Sequence, residues 1–438
     1  MVFSEEPTRQ SSVLWLALAG AALACAVAAC SGSSGGGGSD GGADATGDAL
    51  VDTGTGVDAG DSSTAHDASV DGDAASVDAS DAKADTSDGA ASDGPYELAD
   101  AFSGDCGAGS AGEPLDLSCT GLYSDFANKT VSSDLKAYTP GLVLWSDGAD
   151  KLRWIYLPPG TTIDTSDMDE WSFPVGTRIF KEFSLPLGDA STPTRIETRM
   201  LWKTAGAPAG QPGTWYRTTY RWSDDGKTSA TELTTGEMNV DGTGYEVPTQ
   251  FECDSCHNGR IDGVLGFEAV SLAQSAATGL DLTELEAQHL LTNNPTGSLV
   301  VPGNATESAA LGWMHANCGT ACHNAGNGEA SFTGFYMRLD VDTLASVQAT
   351  DTYTTGWNQV TQGFMIPNVT TTYRLHACDI TTSCSYYRAD NRDGVDGIQV
   401  GTQMPPLDTH KVDDPAMVQL AAWINEGCDA GIVDAGGQ

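Results

Sequence analysis

The string Cys253-Asp254-Ser255-Cys256-His257 sets two thiols three residues apart and an imidazole directly after the second. On one helical turn both thiols reach the vinyl groups of a haem, and the next histidine ligates the iron from the proximal side. Cys-x-x-Cys-His therefore reads as a c-type haem attachment site. A second string, Cys318-Gly319-Thr320-Ala321-Cys322-His323, keeps the order with one extra residue between the cysteines. Downstream, Met404 precedes Pro405 and Pro406. Prolines fix φ and cut loop entropy, which suits a thioether held against iron as a sixth ligand. Other chemistries compete. A structural zinc site needs four ligands, commonly a second paired set, and none stands nearby at that spacing. A thioredoxin-like pair belongs in a βαβ context, which the surrounding sequence lacks. A disulfide within each string remains, and in the longer string a single tether at Cys322 or a disulfide at Cys318.

The sixth ligand of the first haem is open. His289, His315, His376, His410, Met314 and Met365 are candidates. His315 also reads as a surface or capping histidine, and Met365 competes with Met404. Arg388 could pair a haem propionate by a charge-assisted hydrogen bond, or be a plain surface arginine.

These residues need elements to hold them. Residues 97–250 read as a β-rich domain. The stretches 152–157, 178–185, 194–203 and 214–222 are short, aromatic and β-branched, with turn clusters between them. The pattern predicts an antiparallel β-sandwich-like domain. Trp145, Trp154, Trp171, Trp202, Trp215 and Trp222 fall in this part. Core packing is their commoner use, a sugar-binding face the alternative. Residues 251–430 predict a mainly helical c-type cytochrome region, with helices over 280–293, 302–318 and 413–427. The last has an Asp N-cap, an early Pro and a Gly stop. Gly312-Trp313 is expected to face Ala421-Ala422-Trp423 across the crossing of first and last helices. The fold class is thus a multidomain β + α chain.

The first hundred of the 438 residues look different. Residues 1–30 read as a lipoprotein signal peptide. An apolar run over 13–30 ends in Val27-Ala28-Ala29-Cys30 and is short for a membrane span. Cys30 is the expected lipidation site, with Cys25 a weaker alternative and a plain cleaved signal the simpler one. Residues 31–96 form an acidic Gly/Ala/Ser/Asp linker. Over 31–100, fifteen Asp and one Glu stand against Lys83 alone, too polar to fold and self-repelling. The chain carries a formal charge of −40. That argues against a nucleic-acid partner, which needs Lys/Arg patches, and suits a basic redox partner.

Eleven cysteines in an exported chain should be committed to cofactors or disulfides. With Cys25, Cys30 and the two strings set aside, five remain. Cys106–Cys119 and Cys378–Cys384 are the closest local pairs, leaving Cys428.

Taken in order from about residue 120 to 426, a series of segments resembles one group of proteins. They include "YTPGLVLWSDGADKLRWIYLPPGTTID", "WSFPVGTRIFKEFSL", "YEVPTQFECDSCHN", "LGWMHANCGTACHN" and "GVDGIQVGTQMPPLDTHKVDD". The group comprises secreted, largely uncharacterised bacterial proteins with an N-terminal β domain and a C-terminal di-haem cytochrome c region. The resemblance implies two haems c: one on Cys253 and Cys256 with His257 as proximal ligand, one on Cys318 and Cys322 with His323. Met404 matches the distal ligand of the second. In such proteins the second string is normally Cys-x-x-Cys-His, one residue shorter than here.

The expected function is electron transfer at a membrane surface by an exported c-type cytochrome of the cell envelope. A lipid anchor would tether it, and its partner would be a redox protein or a quinone-linked chain. The alternatives are a haem enzyme, such as a di-haem peroxidase or a dehydrogenase with an open-sided haem, and a structural or carbohydrate-binding module whose strings are only disulfides.

Overall fold

β-branched and aromatic residues dominate the stretches that become strands. The computed structural model describes residues 106–188, 192–208, 211–395 and 397–428. The expected signal segment with Cys30 and the expected linker at 31–96 lie outside the described residues. The strands are β1 (Tyr123–Asp125), β2 (Thr130–Val131), β3 (Lys136–Thr139), β4 (Asp150–Tyr156), β5 (Arg178–Leu185), β6 (Thr194–Ala205), β7 (Thr214–Trp222), β8 (Ala230–Glu232) and β9 (Thr278–Gly279). The helices are α1 (Gln250–His257), α2 (Ala269–Ala273), α3 (Leu282–Ala287), α4 (Ala305–Met314), α5 (Asp351–Gly356), α6 (Cys384–Ala389) and α7 (Asp414–Glu426).

The architecture is an antiparallel sheet with helices. Seven strands pair in the order β8-β7-β6-β5-β4-β3-β9, and β1 with β2 makes a separate two-stranded pair. The four stretches read as strands from sequence are β4 to β7. Both faces of the sheet are buried. On one, Trp154, Phe180, Met200 and Tyr220 pack against Leu117, Leu122 and Leu135. On the other, Ile155, Ile179, Leu201 and Trp215 join the main core, shared with Leu285, Leu311, Met417, Leu420 and Ile424. That core crosses the boundary expected near residue 250, and residues 106–428 belong to one compact unit. Trp154, Trp171, Trp202, Trp215 and Trp222 are all buried, whereas Trp145 is half-buried.

The helices after residue 250 are short and joined by irregular segments. α7, the longest, has 13 residues, so "mainly helical" overstates this region. The helix expected over 280–293 covers only Leu282–Ala287, because His289 turns the chain with a left-handed φ of 55°. α4 and α7 do pack together, through Leu311, Met314, Leu420 and Ile424. The detail differs from expectation. Gly312 abuts Leu142, where a first side-chain carbon would lie 2.7 Å from that leucine's Cδ2. The Trp313 indole N–H donates to Asp413, the N-cap of α7, at 2.9 Å.

Among the described residues two disulfides are present, Cys106–Cys119 and Cys378–Cys428. The second corrects the expected Cys378–Cys384 pair. The Cys378 amide donates to the Ile424 carbonyl at 2.9 Å, which lays Cys378 beside the end of α7 and Cys428. Cys384 is a buried free thiol at the start of α6.

Candidate functional site

A capping box starts the helix that carries the first string. Thr249 Oγ1 accepts from the Glu252 amide at 3.2 Å, and Glu252 returns a carboxylate oxygen to the Thr249 amide at 2.8 Å. Arg217 on β7 holds α1 to the sheet through Asp254, at 2.9 Å. The helix thus puts Cys253 and Cys256 one turn apart and ends on His257. Neither thiol is in a disulfide.

His257 is buried, and its Nδ1 donates to the carbonyl of Gly263. A carbonyl only accepts, so the proton sits on Nδ1 and the lone pair on Nε2. A ring N–H given to a backbone carbonyl, with the other nitrogen left bare, is the arrangement typical of a metal-ligating histidine. Gly263 has φ +60°, and a side-chain carbon there would lie 2.0 Å from the His257 carbonyl oxygen. Only glycine lets this chain reversal close on the ring. Burial holds the His257 pKa well below its ordinary value, aided by Lys181 and Arg217. The ring is neutral at neutral pH, the form that binds metal.

The second string sits where α4 widens into a π-helical turn, His315–Gly319. The Thr320 amide bonds to the His315 carbonyl at 3.0 Å, and the His323 amide to the Cys318 carbonyl at 2.8 Å, both five residues back. A wider turn takes up one more residue per revolution. The extra residue of Cys-x-x-x-Cys-His is absorbed there, so Cys318 and Cys322 remain about one turn apart. Gly319 is needed for the crossing, because a side chain would lie 2.4 Å from the Arg338 amide nitrogen. His323 Nδ1 donates to the Phe335 carbonyl at 3.1 Å, leaving Nε2 free as in the first string. Burial, then Arg388 and Arg374, lower its pKa.

All four thiols are held protonated. Burial pushes Cys253 up to about 11 and Cys256 and Cys318 up to about 12, and raises Cys322 as well. Among the described residues, the one set of three metal-binding side chains with donor atoms within 4.8 Å is Glu246, Glu252 and Asp408. The cysteines and histidines of the strings form no such set, which argues against a zinc cage. Paired neutral thiols beside a neutral imidazole with a free Nε2 suit covalent haem.

The strings face one cavity of about 420 Å³, lined by Cys253, Cys256, His257 and Cys322. On the sheet side it is lined by Lys151, Arg153, Lys181 and Arg199. Burial lowers the Lys181 pKa to about 7, and the neighbouring Arg153 and Arg199 add to this. Pro405 to Thr409 close another side, so the loop after Met404 reaches the first string. Met404 itself is half-buried, its amide donating to the Arg388 carbonyl at 2.9 Å.

None of the six candidate sixth ligands of the first haem lines this cavity. Both His315 ring nitrogens are engaged, Nδ1 accepting from the Leu339 amide at 2.9 Å and Nε2 facing Glu268 at 3.3 Å. His315 is a structural histidine. His289 is exposed. His376 stacks on Tyr373 and bonds Thr382, and His410 pairs with Glu246 at 2.7 Å. Met314 is core, and Met365 is 51% exposed. Arg388 donates to the Thr402 and Gly401 carbonyls at 2.7 and 3.0 Å, so it braces the Met404 loop.

Sequence reasoning missed the cations on the sheet. Their signal was parity: Arg153, Lys181 and Arg199 share a side with Ile155, Ile179 and Leu201. Comparison with protein-family models, with curated proteins and with solved structures returns no match.

Proposed function

We propose that this chain is an exported c-type cytochrome that transfers electrons at a membrane surface. It carries one haem on Cys253, Cys256 and His257 and a second on Cys318, Cys322 and His323. One observation carries the reading. Each histidine directly follows a pair of free thiols and gives its Nδ1 proton to a backbone carbonyl, which aims Nε2 away for iron. Bound haem supplies one-electron chemistry. The chain's own residues attach it, fix the imidazole tautomer and bury the reacting centre. Met404 would supply a thioether to the iron held at the second string. The resemblance to secreted di-haem proteins with a β domain belongs to this reading, as do lipidation at Cys30, a cell-envelope location and a redox protein or quinone-linked chain as partner.

A pyridine haemochrome assay on protein matured with haem-attachment machinery tests it. Two haems per chain are expected, and one in the Cys318→Ala/Cys322→Ala variant. No haem on the parent chain refutes the proposal.

A haem-dependent oxidoreductase is the second reading. It is favoured by the cavity beside His257, whose lining holds no methionine and no second histidine. High-spin iron with rapid cyanide binding would select it over a simple carrier.

A further inference from the structure

Arg153, Lys181 and Arg199 stand in one cross-strand row. Arg153 on β4 is directly opposite Lys181 on β5, and Lys181 is directly opposite Arg199 on β6. All three line the cavity, with Lys151 two positions before Arg153 on the same face. Like charges directly opposite each other in a sheet are destabilising, and buried charges need partners. Among the described residues only Arg199 has one, a two-pronged pair with Glu197 at 2.9 and 2.6 Å. Arg153 is 7% exposed and makes no hydrogen bond or ion pair among the described residues. Lys181 donates only to the Leu265 carbonyl at 3.3 Å, and Lys151 only to that of Leu144. Asp408 and Glu246 also line the cavity, but no ion pair joins either to the four cations. In a chain of net charge −40, such a row breaks the local rules of a stable sheet, as functional sites do.

We propose that this row is a carboxylate-binding site that receives the propionates of the haem attached at Cys253 and Cys256. The inference rests on the haem reading above. It assigns the sheet a role: β4, β5 and β6 supply the positive wall that neutralises the charged edge of the haem, while α1 supplies its covalent and iron-ligating attachments. Arginine suits the two-pronged contact with a carboxylate and lysine the point contact. A free anionic ligand would use the same chemistry, so the test separates the two.

The experiment is a potentiometric titration of the haem-loaded chain and its Arg153→Met, Lys181→Met and Arg153→Lys variants, with haem content measured alongside. Two haems are expected throughout. One potential falls in the two methionine variants, because the oxidised haem is relieved of a nearby cation and left beside bare carboxylates. The expected change is roughly tenfold in the redox equilibrium constant, about 59 mV for one electron. Arg153→Lys retains most of the parent value. If a methionine variant fails to accumulate folded, Lys151→Met gives the same readout. Two haems with unchanged potentials in every methionine variant overturn this proposal and leave the haem reading standing. A parent chain without haem overturns both. Saturable perturbation of the parent haem spectrum by added succinate, lost in Lys181→Met, also overturns it and identifies the site as one for a free anion.

Discussion

Gly259 and Ala321 lie in backbone contact: a first side-chain carbon on Gly259 would sit 2.0 Å from the Ala321 carbonyl oxygen. Gly259 is two residues past His257, and Ala321 lies inside the second string. Two motifs more than sixty residues apart in sequence are thus packed against each other, and both send a cysteine into one cavity. Gly259→Ala must push backbone away from backbone, since no flexible side chain can give way. It should lower stability by about 1–3 kcal/mol, the scale of overpacking a tight site. Urea unfolding followed by tryptophan fluorescence measures this. A midpoint unchanged within error would mean that the two strings are not in close contact.

Asp262 ties the loop after the first string to the sheet. Its carboxylate takes the Lys203 ammonium at 2.6 Å, the Phe173 amide at 2.6 Å and the Trp215 indole N–H at 3.1 Å, all buried. The next residue, Gly263, holds the His257 ring. Asp262→Ala strands a buried ammonium and should cost about 3–5 kcal/mol. It should also loosen His257, so on the proposed haem reading the variant shows a changed absorption spectrum in whatever folded fraction remains. Denaturant unfolding and absorption spectra check the two parts separately.

What was legible in sequence, and what was not, divides along physical lines. β5 and β7 were bounded correctly because their aromatic and β-branched runs stop at Gly- and Pro-rich turns. The second sheet of a sandwich is not among the described residues. Their second sheet is only the β1–β2 pair, and helices and irregular segments cover the cavity face of the main sheet, a tertiary choice no period-2 pattern encodes. The two Cys/His strings proposed to hold haem were noticed in sequence because their spacing is local. The cation row was not, because its meaning arises only when three strands are in register. The π-helical turn at His315–Gly319 was visible only as an extra residue, since spacing alone does not say how a backbone absorbs it.

Asp408 should make stability pH-dependent. It lies beside Glu246 and Glu252 at a left-handed φ of 54°, and its Oδ1 is buried without a hydrogen-bond partner. Burial first, against the opposing pull of Arg199, raises its pKa to about 7. The folded value is above the unfolded value of about 3.9, so the folded state holds the proton more tightly. This stabilisation is fully present below pH about 4 and is lost as pH rises towards 7. Asp408→Asn removes that dependence. Relative to the parent, the variant should gain on the order of 1 kcal/mol between pH 5 and pH 8. Urea midpoints at the two pH values test it, and an equal offset at both would show that the carboxyl does not titrate in this range.

Met404 is carried on a loop that other residues hold. Arg388 braces Gly401 and Thr402 from α6. Asp393 accepts from the amides of Thr402 and Gln403 at 2.9 and 2.8 Å, and also from Gly401. The Gln403 side chain ties the far end to the Pro405 and Thr409 carbonyls, each at 3.0 Å. The loop is therefore preorganised without help from the thioether. Met404→Ala should leave the fold intact while removing the proposed ligand. An axial methionine raises the potential of a c-type haem, so the variant's second haem should shift to lower potential and lose the weak long-wavelength band of thioether-to-iron ligation. Arg388→Ala, which frees the loop but keeps the sulfur, should retain the band with reduced intensity. A Met404→Ala protein with an unchanged band and two unchanged potentials would rule out Met404 as the proposed ligand.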